Sequence, residues 1–200
     1  MTPDDLRAAL DLTPQAEEWL SSARAQVADD PARLAVLFPA AGRKVGRGAL
    51  ESLPGWTADD AARALLLDAL PRPRAAAASR AYTEGDNAEK RAVLRALPLL
   101  GLGDEGLPLV RDALRTNDTR LVAAAMGPYA AAHLDEEGWR HGVLKCVFVG
   151  VPLAAVAGLA DRADAELARM LGDFAKEREA AGRVVPDDVH LVLTLVDQES

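Results

Sequence analysis

Thr57-Ala-Asp-Asp-Ala-Ala-Arg-Ala-Leu-Leu-Leu-Asp-Ala-Leu-Pro71 opens on a capping residue, closes on a leucine and a proline, and holds mostly alanine and leucine between them. Those are the strongest helix formers, and Thr57-x-x-Asp60 has the spacing of a capping box, so a helix is predicted over Ala58 to Leu70. A second run, from Asp86-x-x-Glu89 through Leu97-Pro98, predicts another over Asn87 to Leu100. The two echo each other at an offset of 27 residues: Arg63, Leu67, Ala69, Leu70 and Pro71 correspond to Lys90, Leu94, Ala96, Leu97 and Pro98. The echo suggests stacked helical hairpins, of which a HEAT/armadillo-like array is one form, although 27 residues is short for such a unit. An irregular stack of helical hairpins fits equally well.

Working outward, Thr2-Pro3, Thr13-Pro14 and Asp30-Pro31 each place a capping side chain before a proline at the first helical position. Three helices therefore open the chain. Further on, Leu107 to Arg115, Thr119 to Met126, Asp135 to Val149, Asp161 to Ala181 and Pro186 to Val196 read as helices separated by Gly or Pro breaks. No hairpin strand pair is evident, so the fold class is all-α, and 200 residues suit one domain spanning 1–200.

Charge narrows the functions. The net charge of -8 disfavours nucleic acid and anionic membrane as general partners, because both reward a basic surface. The single cysteine, Cys146, excludes an internal disulfide and a cysteine-rich zinc site, and reads as a reduced core residue. The N-terminus lacks the basic and apolar regions of a signal peptide, so a cytoplasmic protein is expected. Val143 to Ala160 could pass for a membrane span, but Lys145 and Gly150-Val-Pro152 break it, and no transmembrane segment is expected.

Several constellations could carry chemistry. Gly42-Arg-Lys-Val-Gly-Arg-Gly48 gathers Arg43, Lys44 and Arg47 beside glycines, as an anion-binding loop does, yet it lacks the Gly-Lys-Ser/Thr ending of a phosphate loop. A solvated basic loop is the simpler account. In the helix from Asp161, Leu167, Met170, Leu171 and Phe174 form an apolar stripe that Arg178 continues; the arginine either snorkels at the helix end or meets a ligand. Arg162, Glu166, Arg169, Asp173 and Lys176 alternate in sign like a solvated face. Lys145 interrupts an apolar run with His141 one turn earlier, so both are candidates for a catalytic base, against the plainer expectation of an ion pair with an acid such as Asp161. Glu137 and His141 have a spacing two metal ligands could share, but charges that favour a helix N-terminus explain Glu137 more simply; no cofactor and no metal is expected. His190 reads as packing or surface. No hydrolase elbow, zinc-protease, dinucleotide or two-cysteine motif is present, and Trp19, Trp56 and Trp139 read as structural anchors.

Leu144-Lys-Cys-Val-Phe-Val-Gly-Val-Pro-Leu153 and Gly158-Leu-Ala-Asp-Arg-Ala163 resemble the C-terminal signature of the EboA family. Arg115-Thr-Asn117 upstream, then Leu167-Ala-Arg-Met-Leu171, Glu177-Arg178 and Ala180-Ala-Gly-Arg183, follow that pattern in order. The N-terminal half is similar more loosely, through Trp19, the Arg43 to Arg47 stretch and Ala62-Arg63 before Leu65-Leu-Leu67. The sequence departs from the family pattern at Asp164, where asparagine is usual, at Gly127-Pro-Tyr129, where Asn-Pro-Tyr is usual, and at His190, near which tryptophan is usual. The resemblance implies no particular reaction. It implies the company of a prenyltransferase, a sugar phosphate cyclase and metal-dependent hydrolases in a gene cluster for a secondary metabolite.

The combined expectation is an accessory binding or scaffold protein of such a cluster, with a prenylated or phosphorylated metabolite, or other proteins of the cluster, as partner. Arg115, Asn117, Lys145, Arg162 and Arg178 are its candidate ligand-binding residues, with Arg43, Lys44 and Arg47 as a further anion loop. The rivals are an enzyme using Lys145 or His141 as base, and a pure protein adaptor.

Overall fold

Alanine-rich, well-capped segments give helices throughout a computed structural model that describes residues 1–198. Among the described residues thirteen α-helices and three short 3-10 turns make it all-α, and no named strand occurs there. The chain divides into two compact units, Met1–Leu109 and the residues from Val110 onward.

In the first unit α1 (Pro3–Ala9) and α2 (Pro14–Asp29) begin at Thr2 and Thr13, whose side chains accept the amides of Asp5 and Ala16. Asp30-Pro31 starts a 3-10 turn, Pro31–Arg33, that runs into α3 (Leu34–Lys44). Next come α4 (Ala58–Asp68), α5 (Ala75–Glu84) and α6 (Asn87–Leu100). Asp86 and Glu89 close the expected capping box on α6, with both bonds at 2.9 Å. The box expected at α4 does not form. Thr57 instead donates its hydroxyl to Asp59 at 2.6 Å, because Asp60 is claimed by Arg91 and Arg95 of α6. Helix α5 is not among the expected helices, because its first turn has no side-chain cap to announce it.

Helix α4 is the centre of this unit. Every residue from Ala58 to Leu67 is buried, and α1, α2, α3 and α6 pack around it. The two helices whose sequences echo each other, α4 and α6, are thus direct neighbours. A helix buried on all sides is normally apolar throughout, yet α4 also buries Asp59, Asp60 and Arg63, at 1%, 0% and 1% exposure. Burying charge on that scale requires a partner for each group. Arg63 gives Nη1 to Asp59 at 2.6 Å and Nε to the Phe38 carbonyl at 3.1 Å, and Arg91 gives Nε to Asp60 at 3.0 Å.

The second unit is built from α8 (Thr119–Ala125), α9 (Pro128–His133), α10 (Glu136–Val149), α11 (Leu159–Arg162), α12 (Ala165–Ala180) and α13 (Asp187–Gln198), while α7 (Leu107–Leu114) holds the boundary between the units. Asp118, Asp135 and Asp164 cap α8, α10 and α12. The helix expected from Asp161 to Ala181 is two helices. Asp164 has extended backbone and turns its carboxylate to the Leu167 amide, at 2.9 Å, and to Arg140, so the chain restarts there. Helix α10 stops at Gly150, whose φ of 81° is available cheaply to glycine. No helix among the described residues is long and apolar enough to cross a membrane.

The core of this unit lies under α10. Trp139, Val143 and Cys146 are fully buried on one face. Gly142 lets Met126 approach so closely that a Cβ there would collide with its Sδ. Leu167 and Leu171 of α12 and Val189 and Val192 of α13 complete the burial.

Candidate functional site

The face of α10 opposite Trp139 carries His141, Leu144, Lys145 and Phe148, at the i, i+3, i+4 and i+7 spacing of one helical stripe. Alongside it α12 presents Arg169, Met170, Asp173, Phe174 and Glu177, and the two stripes line an open cleft of about 510 Å³. That volume is within the range of small-molecule sites. The cleft is amphipathic. Leu144, Phe148, Met170 and Phe174 supply apolar surface, and His141, Lys145, Arg169, Asp173 and Glu177 supply polar groups.

Why the stripe on α12 is available follows from its packing. Four apolar side chains were expected to face one core, but only Leu167 and Leu171 are buried, while Met170 and Phe174 are half-buried on the cleft side. On α10, Val143, Cys146 and Val147 take the core and leave Phe148 67% exposed. An exposed phenyl beside half-buried Met and Phe side chains is surface that an apolar ligand would cover.

The cations around the cleft differ in how they are matched. Arg169 is held by Glu166 at 2.7 Å and Asp173 at 2.8 Å; its hydrogen bond to Glu166 raises the guanidinium pKa and lowers that of the carboxylate. Lys145 has no carboxylate partner among the described residues. Its Nζ donates to Asn117 Oδ1 at 2.7 Å and lies 6.0 Å from the Phe148 ring centroid. The ion pair expected with Asp161 is therefore replaced by an ion–amide bond, which leaves the ammonium charge unneutralised.

His141 Nδ1 meets the Glu137 carbonyl at 3.0 Å. In the neutral ring that nitrogen donates and Nε2 is the acceptor. Glu137 thus engages His141 through its backbone and not its carboxylate, and no group of three or more His, Cys, Asp or Glu side chains able to hold a metal ion occurs among the described residues. His133 stacks on Tyr129 at 4.4 Å, and His190 is exposed.

The structure brings together only part of the expected ligand set. Lys145 and Asn117 are bonded to each other, and Lys145 with His141 lines the cleft. Arg115, Asn117, Arg162 and Arg178 are not lining residues. Arg115 is 76% exposed and pairs with Asp112 at 2.8 Å. Arg178 donates Nε to the Val184 carbonyl at 2.7 Å and lies over Phe174, so it snorkels past a residue that lines the cleft. Arg162 is engaged in holding helix ends: it donates to the carbonyls of Ala131 and Leu134 at 2.8 and 3.0 Å, pairs with Glu136 at 3.0 Å, and stacks on Trp139 at 4.9 Å. Arg43 and Lys44 belong to the last turn of α3, where cations complement exposed carbonyls. Arg47 folds back against Gly42.

A model of a family described as metabolite traffic protein EboA matches residues 53–194, which include the whole cleft. No curated protein and no solved structure matches the chain.

Proposed function

The chain belongs to the EboA family, and from that premise we propose that it is an accessory binding protein for a small amphiphilic metabolite, held in the cleft between α10 and α12. The apolar body of the ligand lies over Leu144, Phe148, Met170 and Phe174. Its polar or anionic end meets Lys145. A prenylated or phosphorylated molecule has this division of character, and the family's description as a metabolite traffic protein accords with carrying one.

The observation that supports this reading most is the unmatched charge of Lys145 at the border of an apolar cleft. A carboxylate or phosphate arriving there gains a charge-assisted hydrogen bond without breaking an ion pair. Covering the Phe148 ring adds a contribution of about 1 to 2 kcal/mol, at roughly 25 cal/mol per Å² of apolar surface. Isothermal titration with geranyl phosphate, geraniol and inorganic phosphate tests the division of roles. The phosphate ester should bind at least about tenfold more tightly than either fragment. Equal affinity for inorganic phosphate and the ester would remove the apolar half of the proposal, and no binding by any of the three would count against both halves.

His141 and Lys145 sharing one cleft also supports an enzymatic reading in which either removes a proton. The same titration separates the two: an enzyme turns its ligand over, and a carrier returns it unchanged.

A further inference from the structure

The charges gathered at Asp59 and Asp60 of α4 do not balance. Asp59 and Asp60 face three guanidinium groups, those of Arg63, Arg91 and Arg95, which leaves one positive charge over. Arg63 is sealed inside with Asp59. The surplus therefore falls on Arg91 and Arg95, whose side chains are 14% and 16% exposed and which grip the same fully buried carboxylate, Asp60, from the outer side.

Their remaining donors point away from Asp60. Arg91 uses Nε on Asp60 and Nη2 on the Thr57 hydroxyl, at 3.0 and 3.1 Å, and Arg95 uses Nη1 on Asp60. Arg91 Nη1 and the Nε and Nη2 of Arg95 have no hydrogen-bond partner among the described residues, and none of them is a buried orphan atom, so they reach the surface. The Arg95 guanidinium also lies 5.6 Å from the Trp56 ring centroid. Gly55, beside it, would place even a Cβ 3.8 Å from Arg95 Nη2.

We propose that the edge formed by Arg91, Arg95 and Trp56 is an oxyanion site, which takes the carboxylate or phosphate group of a small molecule. Guanidinium forks match the geometry of both oxyanions. Asp60 and Thr57 already hold the two guanidinium groups and leave Nη1 of Arg91 and the Nε–Nη2 fork of Arg95 uncommitted, so little rotamer freedom is lost on binding. Finally, burial lowers the Arg95 pKa, Arg91 adds to that, and Asp60 opposes it; an anion in front of the pair would supply the missing negative charge. On a chain of net charge -8 this local positive excess also makes the edge selective for anions.

The site lies in the first unit and does not depend on the cleft between α10 and α12. It is tested on the full chain by following the three tryptophan indole N–H signals by NMR while phosphate, and separately acetate, is added against chloride at matched ionic strength. Trp56→Phe assigns the signal. The expected result is a saturable shift of the Trp56 signal with phosphate, acetate or both, which tells the two oxyanions apart, while Trp19 and Trp139 follow chloride. Arg95→Lys keeps the charge but loses the fork, and should weaken binding about tenfold. Arg91→Lys, which removes the uncommitted Nη1 donor, should also weaken binding and gives a second comparison if Arg95→Lys does not fold. Shifts that track ionic strength alone, or undiminished affinity in a folded lysine variant, would overturn the proposal.

Discussion

Lys145 Nζ lies 2.7 Å from Asn117 Oδ1, so the cation of the cleft is anchored by a neutral amide from the turn before α8. An amide fixes the position of the ammonium group without cancelling its charge. A carboxylate at the same place would do both, and would compete with any anionic ligand.

Asn117→Asp is accordingly the informative change. It should leave the fold intact, since the position is exposed, and should weaken binding of geranyl phosphate about tenfold by pairing Lys145 internally. Affinity for geraniol should stay the same. Calorimetric titration of the two ligands checks this, and equal losses for both would show that the polar end of the cleft lies elsewhere.

Arg162 is predicted to matter for stability. Replacing it with alanine strands the Ala131 and Leu134 carbonyls and uncovers Trp139. Charge-assisted hydrogen bonds and the cation–π contact together put the loss at about 2 to 4 kcal/mol. Urea unfolding measures it, and a loss below about 0.5 kcal/mol, the range of an ordinary surface substitution, would refute the structural role.

Asp164 links stability to pH. Its carboxyl is held below the usual carboxylate range chiefly by the Arg140 hydrogen bond, so the charged form is favoured in the folded chain. The stability it contributes is fully present above the ordinary value of about 4 and is lost as pH falls through the lowered folded value. Asp164→Asn can still cap α12 but does not titrate. Urea midpoints followed from about pH 6 into acid should fall less steeply for the variant, and parallel profiles would contradict the assignment.

Cys146 is fully buried, and burial pushes its thiol pKa up to about 12. A disulfide reagent should therefore label it only as fast as the second unit opens, with labelling accelerated by urea. Immediate labelling of the native protein would mean that α10 does not hold the core face described above.

Much of the fold was legible because its signals are local. Thr2, Thr13, Asp86 and Asp135 announce helix starts through side chains that cap within three residues, and each does so in the structure. Where the announcement depended on distant partners it failed. Thr57 and Asp60 have capping-box spacing, but Arg91 and Arg95 draw Asp60 into the interior. Asp164 falls inside the helix expected from Asp161 to Ala181, and it is Arg140, 24 residues away, that gives its carboxylate a reason to break that helix. Helices α5 and α9 have no side-chain cap bond to betray them.

The same distinction governs the site. Lys145 and His141 were legible as one stripe because helical spacing alone pairs them. The apolar half was not, since Met170 and Phe174 share a sequence pattern with Leu167 and Leu171, and only tertiary packing decides which two are buried. Arg162 carried a positive charge inside a family-like motif, a pattern that fits a ligand contact as well as it fits a clamp on helix ends.

The central claim is that the cleft between α10 and α12 holds a small amphiphile. It is tested most directly by untargeted mass spectrometry of small molecules released from the protein purified from its native host, compared with a Phe148→Asp variant prepared in parallel. Phe148 is 67% exposed, so aspartate there should not disturb the core. The account predicts a compound with an apolar body and an acidic group in the parent sample, reduced at least about tenfold in the variant. The same compound at equal abundance from both proteins, or none above the solvent blank, would contradict it.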